Sequence, residues 1–260
     1  MAFNFYHIDA FTSELFKGNP AGVCVLGDDW LSDDIMQSIA FENNLSETAF
    51  LINKDGGYHI RWFTPTVEVD LCGHATFATF YAMVNHEGYT GGSVRFQSAS
   101  GELRASKNGG LITIDLPVAT LTPEKYKWAF ECFDSHPVEV YSANDEYMFI
   151  FEREEQIANI KFDLDNISKV KSEGIIVTAP GNEIDFVSRY FGPNCGIPED
   201  PVTGSAHTLL MPYWTKRLGK NSLEAMQLSP RTGRLSCELK DDRVLLSGHG
   251  ATFICGTITL

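Results

Sequence analysis

Glu47, His74, Asp200, Ser205 and Cys72 stand beside apolar runs or glycines, in settings where a side chain can handle a small molecule. Moving a proton at carbon needs a group that both accepts and donates near neutral pH. A carboxyl does so when burial or a nearby like charge raises its pKa. Glu47 lies among Leu45, Ala49 and Phe50, consistent with partial burial, although on local sequence alone an ordinary loop glutamate is the better reading. His74 and Ser205 each follow a glycine, Gly73 and Gly204, that opens an apolar stretch. There His74 could donate to a substrate carboxylate or stay neutral against a helix dipole, and Ser205 could hydrogen-bond an anion. A cap or surface histidine and a plain helix-start hydroxyl are the ordinary alternatives. Asp200 could orient His74 or a substrate amine, against the common role of an Asp-Pro turn residue.

The elements that must position these residues repeat along the chain. Arg61-Trp62-Phe63-Thr64-Pro65, Cys72-Gly73-His74-Ala75 and Ser100-Gly101-Glu102-Leu103 are followed by Arg189-Tyr190-Phe191-Gly192-Pro193, Thr203-Gly204-Ser205-Ala206 and Thr232-Gly233-Arg234-Leu235. The offsets are 128 (61 to 189), 131 (73 to 204) and 132 (101 to 233). A period this long means a duplicated domain, since solenoid repeats run roughly 20–50 residues. After each glycine comes a stretch that is apolar nearly all round, 75–84 and 206–214, which predicts a helix buried on every face. Pro212 is expected to kink or shorten the second. Short alternating segments surround each helix: 3–9, 21–26, 48–53, 58–63, 93–98 and 111–116 in the first half, then 138–142, 147–151, 174–179, 185–191, 223–228 and 243–247. Ser32 reads as the N-cap of a surface helix with Asp33 and Asp34 in its first turn.

Many short strands about one helix predict an α+β chain of two pseudo-symmetric lobes, each a mostly antiparallel sheet wrapped around a central buried helix. The lobes are expected over 1–117 and 118–250, with 117–137 as the bridge and a strand at about 251–260 a candidate to return to the first lobe. A helix start leaves N–H groups unpaired and carries partial positive charge, and glycine lets a ligand approach it closely. Two such starts, at Gly73 and Gly204, are expected to face one cleft and grip a small anion there.

Composition narrows the classes of function. The 260 residues carry a net charge of −14, from 20 basic and 34 acidic side chains. Such a surface repels phosphate backbones and anionic lipid, so neither nucleic acid nor membrane is an expected partner. No run of 18 apolar residues appears, and the first residues lack a basic, then apolar, signal pattern. Six scattered cysteines without a C-x-x-C pair read as free thiols in a reducing, cytoplasmic compartment. Nucleotide-binding glycine motifs, H-E-x-x-H and G-x-S-x-G are missing, so no metal, nucleotide or flavin cofactor is expected. His7-Ile8-Asp9 sits in an alternating segment and reads as a strand histidine rather than a metal pair.

Four strings carry a resemblance: Gly18-Asn19-Pro20-Ala21-Gly22, Asn44-Leu45-Ser46-Glu47-Thr48, Cys72-Gly73-His74-Ala75-Thr76 and Glu199-Asp200-Pro201-Val202-Thr203-Gly204-Ser205-Ala206. In order and spacing they resemble the phenazine-biosynthesis F-like proteins across nearly the whole chain; 117–166 carries no motif. The resemblance implies a fold like that of diaminopimelate epimerase, an active site in the cleft and a homodimer. It implies Glu47 as the catalytic glutamate and His74, Asp200 and Ser205 around the substrate. It also implies a cofactor-independent isomerase acting on a small carboxylate, since the phenazine-pathway member moves a proton within a dihydro-hydroxyanthranilate-type ring.

Two other readings compete. Epimerases of the same fold use one cysteine before each helix-start glycine. Cys72 fills the first position, but Pro201 stands where the second thiol belongs, so one face lacks its base. Cys72 then reads as a small core-lining residue, with a Cys72/Glu47 pair as a variant. The third reading is a non-catalytic binding protein that kept the cleft, against which the presence of Glu47 argues.

Overall fold

Alternating apolar side chains over Ala2–Ala10 and Asn19–Gly27 make two antiparallel strands, β1 and β2, in a computed structural model that describes residues 1–125 and 131–260. β2 runs parallel to β3 (Glu47–Lys54), Ala21 opposite Glu47, and a parallel pair needs a crossover. Helix α1 (Asp33–Asn43) supplies it. β3 returns antiparallel as β4 (Gly57–Phe63) through Asp55 and Gly56, both at positive φ, as a two-residue hairpin turn requires. β4 meets the short β5 (Glu68–Val69); α2 (Gly73–Asn85) then crosses to β6 (Ser93–Ser98), parallel to β4. β7 (Gly101–Asn108) and β8 (Leu111–Pro117) follow antiparallel.

Met36, Ile39 and Ala40 of α1 pack with Phe50, Ile52 and Phe63 on one side of the sheet. Side chains alternate across a strand, so Glu47, Ala49, Leu51 and Trp62 face the other side, where α2 packs against β1, β2 and β3. Helix α2 is buried from Gly73 through Phe80. Its two inner threonines satisfy their hydroxyls locally, Thr76 on the Cys72 carbonyl at 2.6 Å and Thr79 on that of Ala75 at 2.7 Å.

A second set of elements repeats the plan. These are β9 (Thr122–Pro123), β10 (Glu139–Ala143), β11 (Glu146–Ile150), α3 (Glu154–Ala158), α4 (Leu164–Ser168), β12 (Gly174–Pro180), β13 (Phe186–Gly192), β14 (Ile197–Asp200), α5 (His207–Leu218), β15 (Ser222–Gln227), β16 (Gly233–Lys240) and β17 (Arg243–Gly248). β10–β11 and β12–β13 are antiparallel, β11–β12 and β13–β15 parallel, β15–β16 antiparallel, in the order of the first set. The repeated arginines behave alike. Arg61 grips Glu68 through Nε and Nη2 at 2.6 and 2.7 Å, and Arg189 grips Glu199 at 2.7 and 2.9 Å. Each guanidinium lies 5.2 Å from a phenylalanine ring, Phe63 or Phe191.

Two compact units result, Met1–Leu116 with Leu246–Leu260, and Pro117–Leu245. The C-terminal strand (Gly250–Thr259) pairs antiparallel with β1 in the first unit. Of the stretch 117–137, residues 126–130 lie outside the described residues; β9 in its described part pairs with β10.

Some expectations shift. Pro212 does not shorten its helix, which runs on to Leu218. The carbonyl a proline leaves without its helical donor is that of Thr208, and it accepts the backbone N–H of Ala119 at 3.0 Å instead. This helix begins at His207, so Ser205 sits in the turn before it. Ser32 is the N-cap residue of α1, yet its hydroxyl makes no capping bond; its carbonyl takes the N–H groups of Ile35 and Met36. β7 and β16 are absent from the sequence reading because their exposed faces are polar and only Leu103, Ala105, Leu235 and Cys237 turn inward. All six cysteines are free.

Glu146 generates a pH test. Burial pushes its carboxyl up to about 7; a hydrogen bond from Tyr190 opposes this and nearby Glu173 adds to it. The folded pKa therefore exceeds the unfolded value of about 4.3, and the folded state holds the extra proton between the two. Unfolding free energy should fall as pH rises from about 4 to about 7 and level off above, by on the order of 3 kcal/mol for this group. Urea denaturation across that range should show the decline in the parent and a flatter profile in Glu146→Gln.

Candidate functional site

The first unit brings three of the sequence-identified residues together. Glu47 is the first residue of β3, Cys72 the residue before α2, and His74 the second residue of α2. All three are buried, at 9%, 6% and 4% exposure. His74 Nε2 lies 3.1 Å from Glu47 Oε2, and its Nδ1 lies 3.5 Å from Cys72 Sγ. The Glu47 contact is an ion pair that makes no hydrogen bond of standard geometry. Glu47 Oε2 and His74 Nε2 are thus both buried without a hydrogen-bond partner among the described residues. Buried polar atoms left in this state are rare in folded proteins.

Burial opposes a charge on His74, but the adjoining Cys72 sulfur and Glu47 carboxylate outweigh it and hold the imidazole pKa well above its usual value. Burial, and then the charge of Glu47, also push the Cys72 thiol up. The same thiol is a poor base.

Glu47, Cys72 and His74 also present oxygen, sulfur and nitrogen donors within 4.8 Å of one another, a donor set that suits zinc. The imidazole faces sulfur with one nitrogen and carboxylate with the other, so a single ring nitrogen does not serve both neighbours in this arrangement. A cavity of about 370 Å³ in the same unit, lined by Val25, Leu51, Tyr58, Met83, Glu87 and Tyr89 among others, includes none of the three. Its walls carry no cysteine, histidine, lysine or arginine.

The second unit places Asp200, Gly204 and Ser205 around the turn that leads into α5. Thr203 Oγ1 donates to Asp200 Oδ2 at 2.5 Å. Gln227 Nε2 donates to the Asp200 carbonyl at 2.7 Å, and its Oε1 accepts the Thr203 N–H at 2.8 Å. The carbonyls of Gly204 and Ser205 accept the N–H groups of His207 and Thr208. Sequence reasoning missed Thr203, Gln227 and His207 here. His207 is fully buried; its Nδ1–H donates to the Thr203 carbonyl at 2.9 Å, and burial pushes its pKa down to about 4, leaving it neutral. Nothing local marks Gln227, since it reaches the turn from a strand well downstream.

Comparison with known proteins shows the family. The family model described as phenazine biosynthesis-like protein matches residues 8–256. An uncharacterized isomerase of Pseudomonas aeruginosa is 44% identical over 261 residues, covering 100% of both chains. The crystal structure of a phenazine biosynthesis protein of the PhzF family from Enterococcus faecalis matches with a TM-score of 0.94 at 42% identity, covering 100% of both. A hydroxyproline epimerase from Agrobacterium vitis, 7% identical, has a TM-score of 0.63 over 99% of this chain and 92% of its own, and shares the fold alone.

The raised His74 pKa sets the sign of a measurable effect. A raised histidine pKa contributes stability that is fully present below the unfolded value of about 6.5 and is lost as pH rises through the folded value. Imidazole NMR should show His74 protonated well past pH 6.5 in the parent. In Glu47→Gln the carboxylate is gone while burial remains, and the same resonance should titrate at lower pH.

Proposed function

The chain belongs to the phenazine biosynthesis-like family, and from that footing we propose that it is an isomerase that moves a proton on a small carboxylate-bearing substrate, with Glu47 as the single acid/base group. The observation that carries this reading is the buried Glu47–His74 contact, whose facing atoms lack aligned hydrogen bonds among the described residues. The Glu47 carboxylate takes a proton from one substrate carbon and returns it to another on the same face. One C–H bond breaks, another forms and the double bond shifts between them. The sum is redox-neutral, so the step as written needs no electron acceptor.

His74 and the N-terminal turn of α2 at Gly73 supply positive charge for the substrate carboxylate and for the anionic character that develops as the C–H bond breaks. Asp200, Gly204 and Ser205 keep the substrate-contact role that the family motif carries. Cys72 positions His74 through the 3.5 Å contact rather than acting as a base.

The test starts with a carboxylate that a binding screen selects and that exchanges carbon-bound hydrogen for deuterium in heavy water. Glu47→Gln should lower exchange and turnover by roughly 10²–10⁴-fold or more while the acid still binds. Cys72→Ala should cost at most about tenfold. Near-normal exchange in the Glu47 variant with collapse in the Cys72 variant would replace this mechanism with thiol-based epimerisation. Binding without exchange for every ligand found would leave a binding protein.

A further inference from the structure

A third buried polar atom in the first unit has no hydrogen-bond partner among the described residues. It is Nε1 of Trp62, a side chain only 1% exposed. Trp62 lies on β4 directly opposite Ala49 of β3. Phe63 turns toward α1, so Trp62 turns the other way, onto the face that carries Ala49 and Glu47. Glu47 is thus the diagonal neighbour of Trp62 on that face. Diagonal pairs have Cβ atoms roughly 7–8 Å apart, within the span of an indole ring. Glu47, whose carboxylate meets His74, and Trp62 therefore share one face of the sheet, and each of the three carries a buried atom without a hydrogen-bond partner among the described residues.

The duplication supplies a control. Tyr190 occupies the position of Trp62 in the second R-[aromatic]-F-x-P segment. Its hydroxyl is engaged by the buried Glu146 carboxylate. The second unit thus meets the polar tip of this aromatic with an acidic side chain from β11, two strands away in the same sheet. In the first unit the corresponding N–H has no such acceptor among the described residues. An indole N–H donates and cannot accept, so whatever meets it brings an oxygen acceptor.

We propose that Trp62 is a further substrate-contacting residue: its indole N–H donates to a carboxylate oxygen of the molecule bound at Glu47 and His74. The proposal rests on the reading of Glu47 and His74 as the substrate site. It requires of the substrate an acceptor oxygen that reaches the indole nitrogen.

Benzoate, a planar carboxylate with no exchangeable carbon acid, is the probe. The protein labelled with ¹⁵N-tryptophan gives four indole resonances, one per tryptophan, and Trp62→Phe identifies the signal of Trp62. On titration with benzoate that signal should move downfield in the proton dimension while the other three stay. Calorimetry should show benzoate binding weakened roughly 10–100-fold in Trp62→Phe, which keeps an aromatic face and loses only the donor. If the variant does not fold, the wild-type titration with sequential assignment still decides. An unmoved Trp62 signal, equal affinity in a folded Trp62→Phe, or no benzoate binding at tens of millimolar would each overturn the proposal. The isomerase reading is scored separately by deuterium exchange in Glu47→Gln. Lost exchange there with a silent Trp62 would sink this inference alone. A shifted Trp62 with full exchange in Glu47→Gln would sink the mechanism and leave the contact.

Discussion

Burying a helix on every side is the constraint on which the first unit depends. Helix α2 has no polar face to offer water, so the sheet must enclose it, and its first turn is enclosed too. No side-chain hydrogen bond caps that turn at Cys72, and the free N–H groups of a helix start are costly inside protein. A carboxylate from the adjoining strand lies near the start of the helix, and the imidazole of His74 on the helix meets that carboxylate at 3.1 Å. The reactive-looking group is thus a product of how the core closes. The second unit meets the same demand differently, with the Asp200–Thr203–Gln227 network tying down the turn ahead of α5.

Duplication preserved the scaffold and released the polar positions. Strand order and direction, the arginine–glutamate clamp over a phenylalanine and the central helix recur in both units. At the polar positions the copies part. Where the first unit has a histidine whose pKa its neighbours hold up near the start of α2, the second has a turn serine and then a fully buried His207 whose pKa burial pushes down to about 4. A duplicated fold that needs only one proton-handling group can let the other copy settle into ordinary hydrogen bonding.

The sequence made the scaffold legible because its signals are local. Apolar alternation marked most strands, and a glycine before an all-apolar run marked each central helix. β7 and β16 escaped because half of each strand faces solvent and carries charges. Glu47 reads locally as a loop glutamate; only the family strings lifted it out, and only the fold shows that it meets His74. Trp62 was beyond sequence reading for a different reason. Its signal is the lack of a partner, which exists only after every neighbouring chain segment is in place. Gln227 and His207 fall in the same class, since their roles are set by the turn they hold and not by the residues beside them.

The strand Gly250–Thr259 that borders β1 adds an order of events to this architecture. During synthesis the ribosome delivers residues 1–116, then the whole of the second unit, and only afterwards the strand that borders β1. Contiguous domains fold as they emerge. The second unit can do so from a single stretch of chain, while the first waits with one sheet edge exposed. An unpaired edge is a template for wrong partners. The catalytic-looking half of the molecule is therefore the half that nascent-chain chaperones have to shelter longest, although it leaves the ribosome first.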